Sequence, residues 1–159
     1  MIKLLFLLMS FVFTQQVMAD SFNLIINGKA IHQEKKNFNE ENWGVGFEYN
    51  FKEEKKWINF INGGFFKDSF SNQSNYFGGG SKRRFLLTDD INGWHIVAGI
   101  TAFVMTRKDY KNNQPFVGAL PYLSIGTEKV AINATYIPSL SPKFVSLWFF
   151  QASFKLSEW

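Results

Sequence analysis

Cysteine is absent from the 159-residue chain. Disulfide scaffolds and thiol chemistry are thereby excluded. Long apolar runs are absent too. No stretch reaches the eighteen or so residues that a membrane-crossing helix needs, which excludes a helical membrane protein. Charge is sparse: 19% of residues, with a formal net of +4. That is far too weak a basic excess to argue for nucleic acid, although it suits an anionic membrane surface. What the chain does have is aromatic rings. Phe, Trp and Tyr make up 18% of it, and 19 residues are Phe. Mean hydropathy is nevertheless only −0.11. Many rings at average hydropathy is the signature of apolar and polar residues in alternation, as transmembrane barrels are built.

The first nineteen residues differ from the rest. Lys3 gives a positive start, and Leu4 to Phe13 is a mostly apolar run. Gln15 and Gln16 break it, and Val17-Met18-Ala19 has the small-residue ending of a cleavage site. Residues 1–19 are therefore expected to be a signal peptide, and residues 20–159 a single domain. Lys3 is the only charge in the leader, so its removal takes the net charge from +4 to +3.

Residues 43–51 alternate strictly. Trp43, Val45, Phe47, Tyr49 and Phe51 share one face, with Gly44, Gly46, Glu48 and Asn50 on the other. Trp94, Ile96, Ala98, Ile100, Ala102 and Val104 repeat the pattern, as do Val130, Ile132, Ala134 and Tyr136. So do Phe144, Trp148, Phe150, Ala152, Phe154 and Leu156, interrupted by Ser146. Alternation over 57–66 is poor, and a strand there is inferred from context. Eight strands are expected, at about 22–32, 43–52, 57–69, 74–86, 93–107, 114–126, 129–137 and 144–156. Several exceed the usual strand length and suit the ~9–11 residues of a tilted membrane crossing. The expected fold is all-β: an eight-stranded antiparallel transmembrane barrel, closed so that every backbone group is paired. A soluble lipid-binding barrel would instead turn its aromatic faces inward.

With the N-terminus on the periplasmic side, strand parity carries His32 and the pair Asp68-Ser69 to the same outer rim. Lys35, Lys36, Lys67, Arg107, Lys108 and Lys111 fall near that rim as well. His95 falls at the opposite one, where a structural role is expected.

Four ordered motifs carry a family resemblance: Asn23 to His32, Asn42-Trp43-Gly44-Val45-Gly46, Phe66-Lys67-Asp68-Ser69 and Thr135-Tyr136-Ile137-Pro138. Together they resemble the lipid A palmitoyltransferases, a family of outer-membrane barrel acyltransferases in Gram-negative bacteria. The resemblance runs from about residue 22 to the C-terminus. It implies transfer of an acyl chain, palmitoyl in the family, from a phospholipid donor to lipid A or a related lipopolysaccharide acceptor at the outer leaflet. It makes His32, Asp68 and Ser69 the catalytic set. His32 is the natural base, Asp68 is suited to fix its tautomer, and Ser69 is either nucleophile or oxyanion donor. In a regular strand Asp68 and Ser69 point to opposite faces, so a triad requires the strand to end or bulge there.

The resemblance also makes Gly80 the floor of an acyl-chain pocket, and Arg107 a contact for the acceptor's phosphates. A glycine that lets a small barrel bend is the plainer reading of Gly80. No cofactor, metal or nucleic acid is implied, and a monomer is expected. Two departures stand out. Asp20 leads almost directly into the first strand, where the family has an amphipathic helix. Asn27 and Asn42 replace two prolines that open lateral lipid gates, while Pro115, Pro121 and Pro138 remain to open the other side. A related barrel group with these features is described as a glycerol-3-phosphate transporter. The alternative is therefore a non-catalytic barrel that binds or transports a small lipid or glycerol-phosphate compound.

Overall fold

The computed structural model describes residues 19–34, 37–51, 54, 56–88, 93–139 and 145–158. Most of the expected signal peptide lies outside them, as do Lys35, Lys36 and Phe144. Eight strands follow one another: β1 Ala19–His32, β2 Glu41–Phe51, β3 Trp57–Lys67, β4 Gln73–Leu86, β5 His95–Thr106, β6 Phe116–Gly126, β7 Val130–Ile137 and β8 Leu147–Glu158. Each pairs antiparallel with the next, and β8 pairs back with β1 to close the barrel. A 3-10 turn at Lys111–Asn113 is the one helical element among the described residues. β1 begins at Ala19, so the residues just before Phe22 are strand.

The alternating residues sort as a lipid-facing barrel requires. Trp43, Phe65, Phe77, Ile100, Val117, Trp148 and Leu156 all stand on the outside, Val117 being 81% exposed. An apolar outer surface of this extent is unsuited to water and belongs in a bilayer. The soluble-barrel alternative, with aromatic faces inward, is therefore wrong.

Inside, the two halves differ. The half nearer the N-terminus is polar. Lys82 Nζ donates to Glu48 Oε1 at 2.6 Å, Tyr122 Oη donates to Glu48 Oε2 at 3.3 Å, and the ammonium sits over the Phe60 and Tyr122 rings. Phe60, Val97 and Tyr122 form a small buried cluster across the barrel. This explains the poor alternation of β3. Ile58, Phe60 and Phe66 face inward while Trp57 and Phe65 face outward, so both faces of that strand carry apolar residues.

The other half holds an apolar cavity. Its empty space, mouth included, is about 800 Å³. Phe66, Phe103, Met105, Leu120, Leu147 and Phe149 are among the side chains that line it.

Candidate functional site

A register shift in β1 decides where His32 points. Ser21, Ile25 and Asn27 are buried, an odd-numbered inward face. Against β8, Asn27 pairs with Gln151 and Lys29 pairs with Phe150, so Gly28 is an extra residue. Parity switches there. Ala30 is buried and so is the side chain of His32, which is only 2% exposed. Regular pairing would have turned His32 outward.

β3 ends at Lys67, which releases Asp68 and Ser69 from alternation. Ser69 then reaches His32: Nε2 and Oγ are 2.9 Å apart. Ser69 lines the apolar cavity, and together with His32 it also lines a small adjoining pocket walled by Phe38, Phe70, Ile137, Val145 and Leu147. The pair thus sits between the two spaces.

Asp68 does not orient the imidazole. Its Oδ1 accepts the amides of Phe70 and Asn72, at 2.9 and 3.0 Å, and its Oδ2 accepts the Ser74 hydroxyl at 3.2 Å. At 2% exposure it is a buried fastener of the β3–β4 loop. The carboxylate that faces His32 is Glu40, whose Oε1 is 3.8 Å from Nδ1. Its neighbours complete the arrangement. Phe38 stacks on the imidazole with centroids 4.5 Å apart, and Asn39 binds the second loop twice. Its backbone amide donates to the Ser69 carbonyl at 2.8 Å, and its side chain donates to the Asp68 carbonyl at 3.0 Å. Residues 38–40 carry no signal in the sequence, because the contacts are made across two loops.

Arg107 lines both the cavity and the adjoining pocket and forms a bidentate pair with Asp109. Gly80 lies on the inner face of β4 between Phe60 and Thr101. It is not among the cavity's lining residues. A Cβ there would collide with the Ile100 carbonyl, so close approach of β5 accounts for the glycine. Tyr122 and Thr101, which do line the cavity, stand at its inner end. His95 is remote, its Nδ1 3.2 Å from the Gly93 carbonyl.

The barrel wall is uneven. On the side of Asn27 and Asn42 it is stitched: Asn27 pairs with Gly44, Lys29 with Glu41, and the Ala30 amide donates to the Glu40 carbonyl. Asn42 Nδ2 adds a bond to the Lys67 carbonyl at 2.6 Å. Between β6 and β7 the ladder stops at Leu123–Ala134. Beyond it, Phe116–Tyr122 pairs only with β5, and Thr135–Ile137 only with β8. Pro121 has no N–H to offer there. Leu120, Thr135 and Ile137, from the unpaired stretches, line the cavity.

The chain is similar in sequence to known proteins. Residues 24–151 match the model of the family described as antimicrobial peptide resistance and lipid A acylation protein PagP. The lipid A acyltransferase PagP of Sodalis glossinidius is 33% identical over 101 residues, 64% of this chain and 52% of that protein. That of Methylobacillus flagellatus is 30% identical over 104 residues, 64% of this chain and 53% of that protein. The matches thus span about half the length of these relatives. Among solved structures, the attachment invasion locus protein Ail of Yersinia pestis superposes with a TM-score of 0.46 at 11% identity, over 87% of this chain and 99% of that one. With the family model matched across all eight strands, the chain belongs to the PagP family.

Proposed function

We propose that this protein is an outer-membrane acyltransferase that moves an acyl chain from a phospholipid to lipid A or a closely related acceptor. The observation that carries the reading is the His32–Ser69 contact of 2.9 Å at the boundary of an apolar cavity. A deep apolar space suits a hydrocarbon chain, and a base–hydroxyl pair at its edge suits an ester carbonyl. The gap in the β6–β7 ladder offers the donor a sideways route from the bilayer.

In the reaction, a hydroxyl of the acceptor loses its proton and its oxygen bonds to the acyl carbon. The ester bond to the donor's glycerol breaks, and the leaving alkoxide takes up a proton. His32 Nε2 is positioned to hold and return that proton, and Ser69 either attacks first or donates to the developing oxyanion. Arg107, at the edge of both spaces, is suited to a lipid A phosphate. Palmitoyl as the donor chain, the outer leaflet as the site of action, a cleaved leader over residues 1–19, a barrel domain over 20–159 and a monomeric state belong to the same proposal.

The test is expression in a Gram-negative host lacking its own lipid A palmitoyltransferase, with lipid A weighed by mass spectrometry. An added acyl mass, lost in His32→Ala and in Ser69→Ala, is expected, and its size gives the chain length. An unchanged lipid A profile from a folded, membrane-inserted barrel would overturn the proposal in favour of a binding or transport barrel.

A further inference from the structure

For Nε2 of His32 to accept a proton from the Ser69 side, the neutral ring must carry its own proton on Nδ1. That nitrogen is buried and has no hydrogen-bond partner among the described residues. An imidazole so placed is free to adopt the wrong tautomer, and a base with its proton on Nε2 is useless at Ser69. Asp68, the carboxylate next to Ser69 in sequence, has committed both oxygens to its own loop.

The remaining carboxylate within reach is Glu40. Its Oε1 is 3.8 Å from Nδ1 and 3.4 Å from the His32 backbone nitrogen, which donates to it. The backbone of Glu40 is fixed by the Ala30 amide at 2.9 Å, and its side chain is 43% exposed. A small rotation about its outer bonds therefore closes the gap without moving either strand. Phe38 on the ring face and Asn39 on the Ser69 carbonyl hold the rest of the cluster still.

The other charged group that acts on His32 is Arg107, at the end of β5, which is paired with Asp109. Phe70, Ile137, Val145 and Leu147 around the same pocket are uncharged.

We propose that Glu40 is the positioning residue of His32: it accepts the Nδ1 proton, fixes the tautomer that leaves Nε2 open to Ser69, and stabilises the imidazolium during transfer. The assignment rests on the acyltransferase reading for its purpose. The contact can be tested without it.

The chain has two histidines, so their side-chain nitrogen signals are separable by NMR on the folded full-length barrel in micelles, with His32→Asn to assign them. In wild type, His32 should hold its neutral proton on Nδ1. In Glu40→Gln, His32 should titrate at lower pH, because the carboxylate that favoured its charged form is gone while Arg107 remains. His95, at the far rim, should not move. Glu40→Ala should in addition mix the tautomers. In the lipid A assay, Glu40→Gln should lower kcat by about tenfold to a hundredfold at nearly constant KM, and shift the pH–rate profile downward. An unmoved His32 titration in folded Glu40→Gln would overturn the assignment. A moved titration in a barrel that acylates nothing would uphold the Glu40–His32 contact while refuting the transferase.

Discussion

Asp68 and Ser74 close the β3–β4 loop from within: Oδ2 of the first accepts the hydroxyl of the second at 3.2 Å, with both residues buried. Since Oδ1 holds the Phe70 and Asn72 amides, the carboxylate shapes the turn that presents Ser69. The two substitutions of Asp68 should therefore diverge. Asn retains an oxygen for the two amides and should keep a substantial share of transferase activity. Ala leaves two amides and a hydroxyl without their acceptor, at about 1–3 kcal/mol for each group stranded away from water. It should lose activity together with stability. Rates and urea midpoints for both variants, side by side, check this. Equal loss of activity in both, with stability intact in Asp68→Asn, would instead give Asp68 a chemical role.

Gly28 is an extra residue that costs little space. A Cβ at that position would meet nothing nearer than the Phe150 carbonyl at 3.8 Å. Gly28→Ala should fold and function. Deleting Gly28 removes only the extra residue: Asn27 and Lys29 then alternate regularly opposite Gln151 and Phe150, and His32 keeps its place opposite Leu147 with its side chain inward. That barrel should still form and still transfer. The heat-sensitive gel mobility of the barrel and the lipid A mass spectrum report the two properties separately.

The gap between β6 and β7 can be sewn shut. Continuing the register of Leu123–Ala134 sets Pro121 opposite Tyr136. The chain has no cysteine to interfere. A Pro121→Cys, Tyr136→Cys double variant should lose acyl transfer by about tenfold or more on oxidation, and recover on reduction. The tenfold figure corresponds to about 1.4 kcal/mol on the barrier. Activity that ignores the cross-link would direct the donor to another entrance.

Lys82 and Glu48 are 6% and 2% exposed at their side chains, so neither charge can turn to water when the other is removed. Lys82→Met should destabilise the barrel by about 3–5 kcal/mol. Adding Glu48→Gln should recover much of that loss. Urea unfolding in micelles measures both. If the single variant costs no more than the double, the pair is not acting as a unit.

The fold was legible because its outer face is written in one period. The strands bearing Trp43, Ile100 and Val130 can each be read from alternation alone, and all eight lie close to where the pattern sets them. β3 resisted because Phe60 and Phe66 serve the interior while Phe65 serves the lipid. Of the site, His32 and Ser69 could be named from family motifs and strand parity. Their contact could not, because it depends on an extra residue at Gly28 and on β3 stopping at Lys67. Glu40 and Asn39 were invisible for a similar reason. Their partners are on the imidazole and on another loop, and no periodicity links a loop to a loop. Gly80 is a different case: its motif suggested a chain-length gauge, and its surroundings supply a second reason for glycine, in strand packing.

The closing seam of the barrel joins the most distant parts of the chain. Ser21 pairs with Glu158, and at the far end His32 pairs with Leu147 while the Gln33 amide reaches the Ser146 carbonyl. Such pairings are slow to form, because the whole intervening loop must be restrained first. Until they form, β1 and β8 are two bare edges. The imidazole belongs to that seam, and one wall of its pocket, Leu147, comes from the opposite side of it. A half-assembled chain therefore has no working site to expose. If the proposed acyl transfer holds, its chemistry is withheld until the last strand has docked.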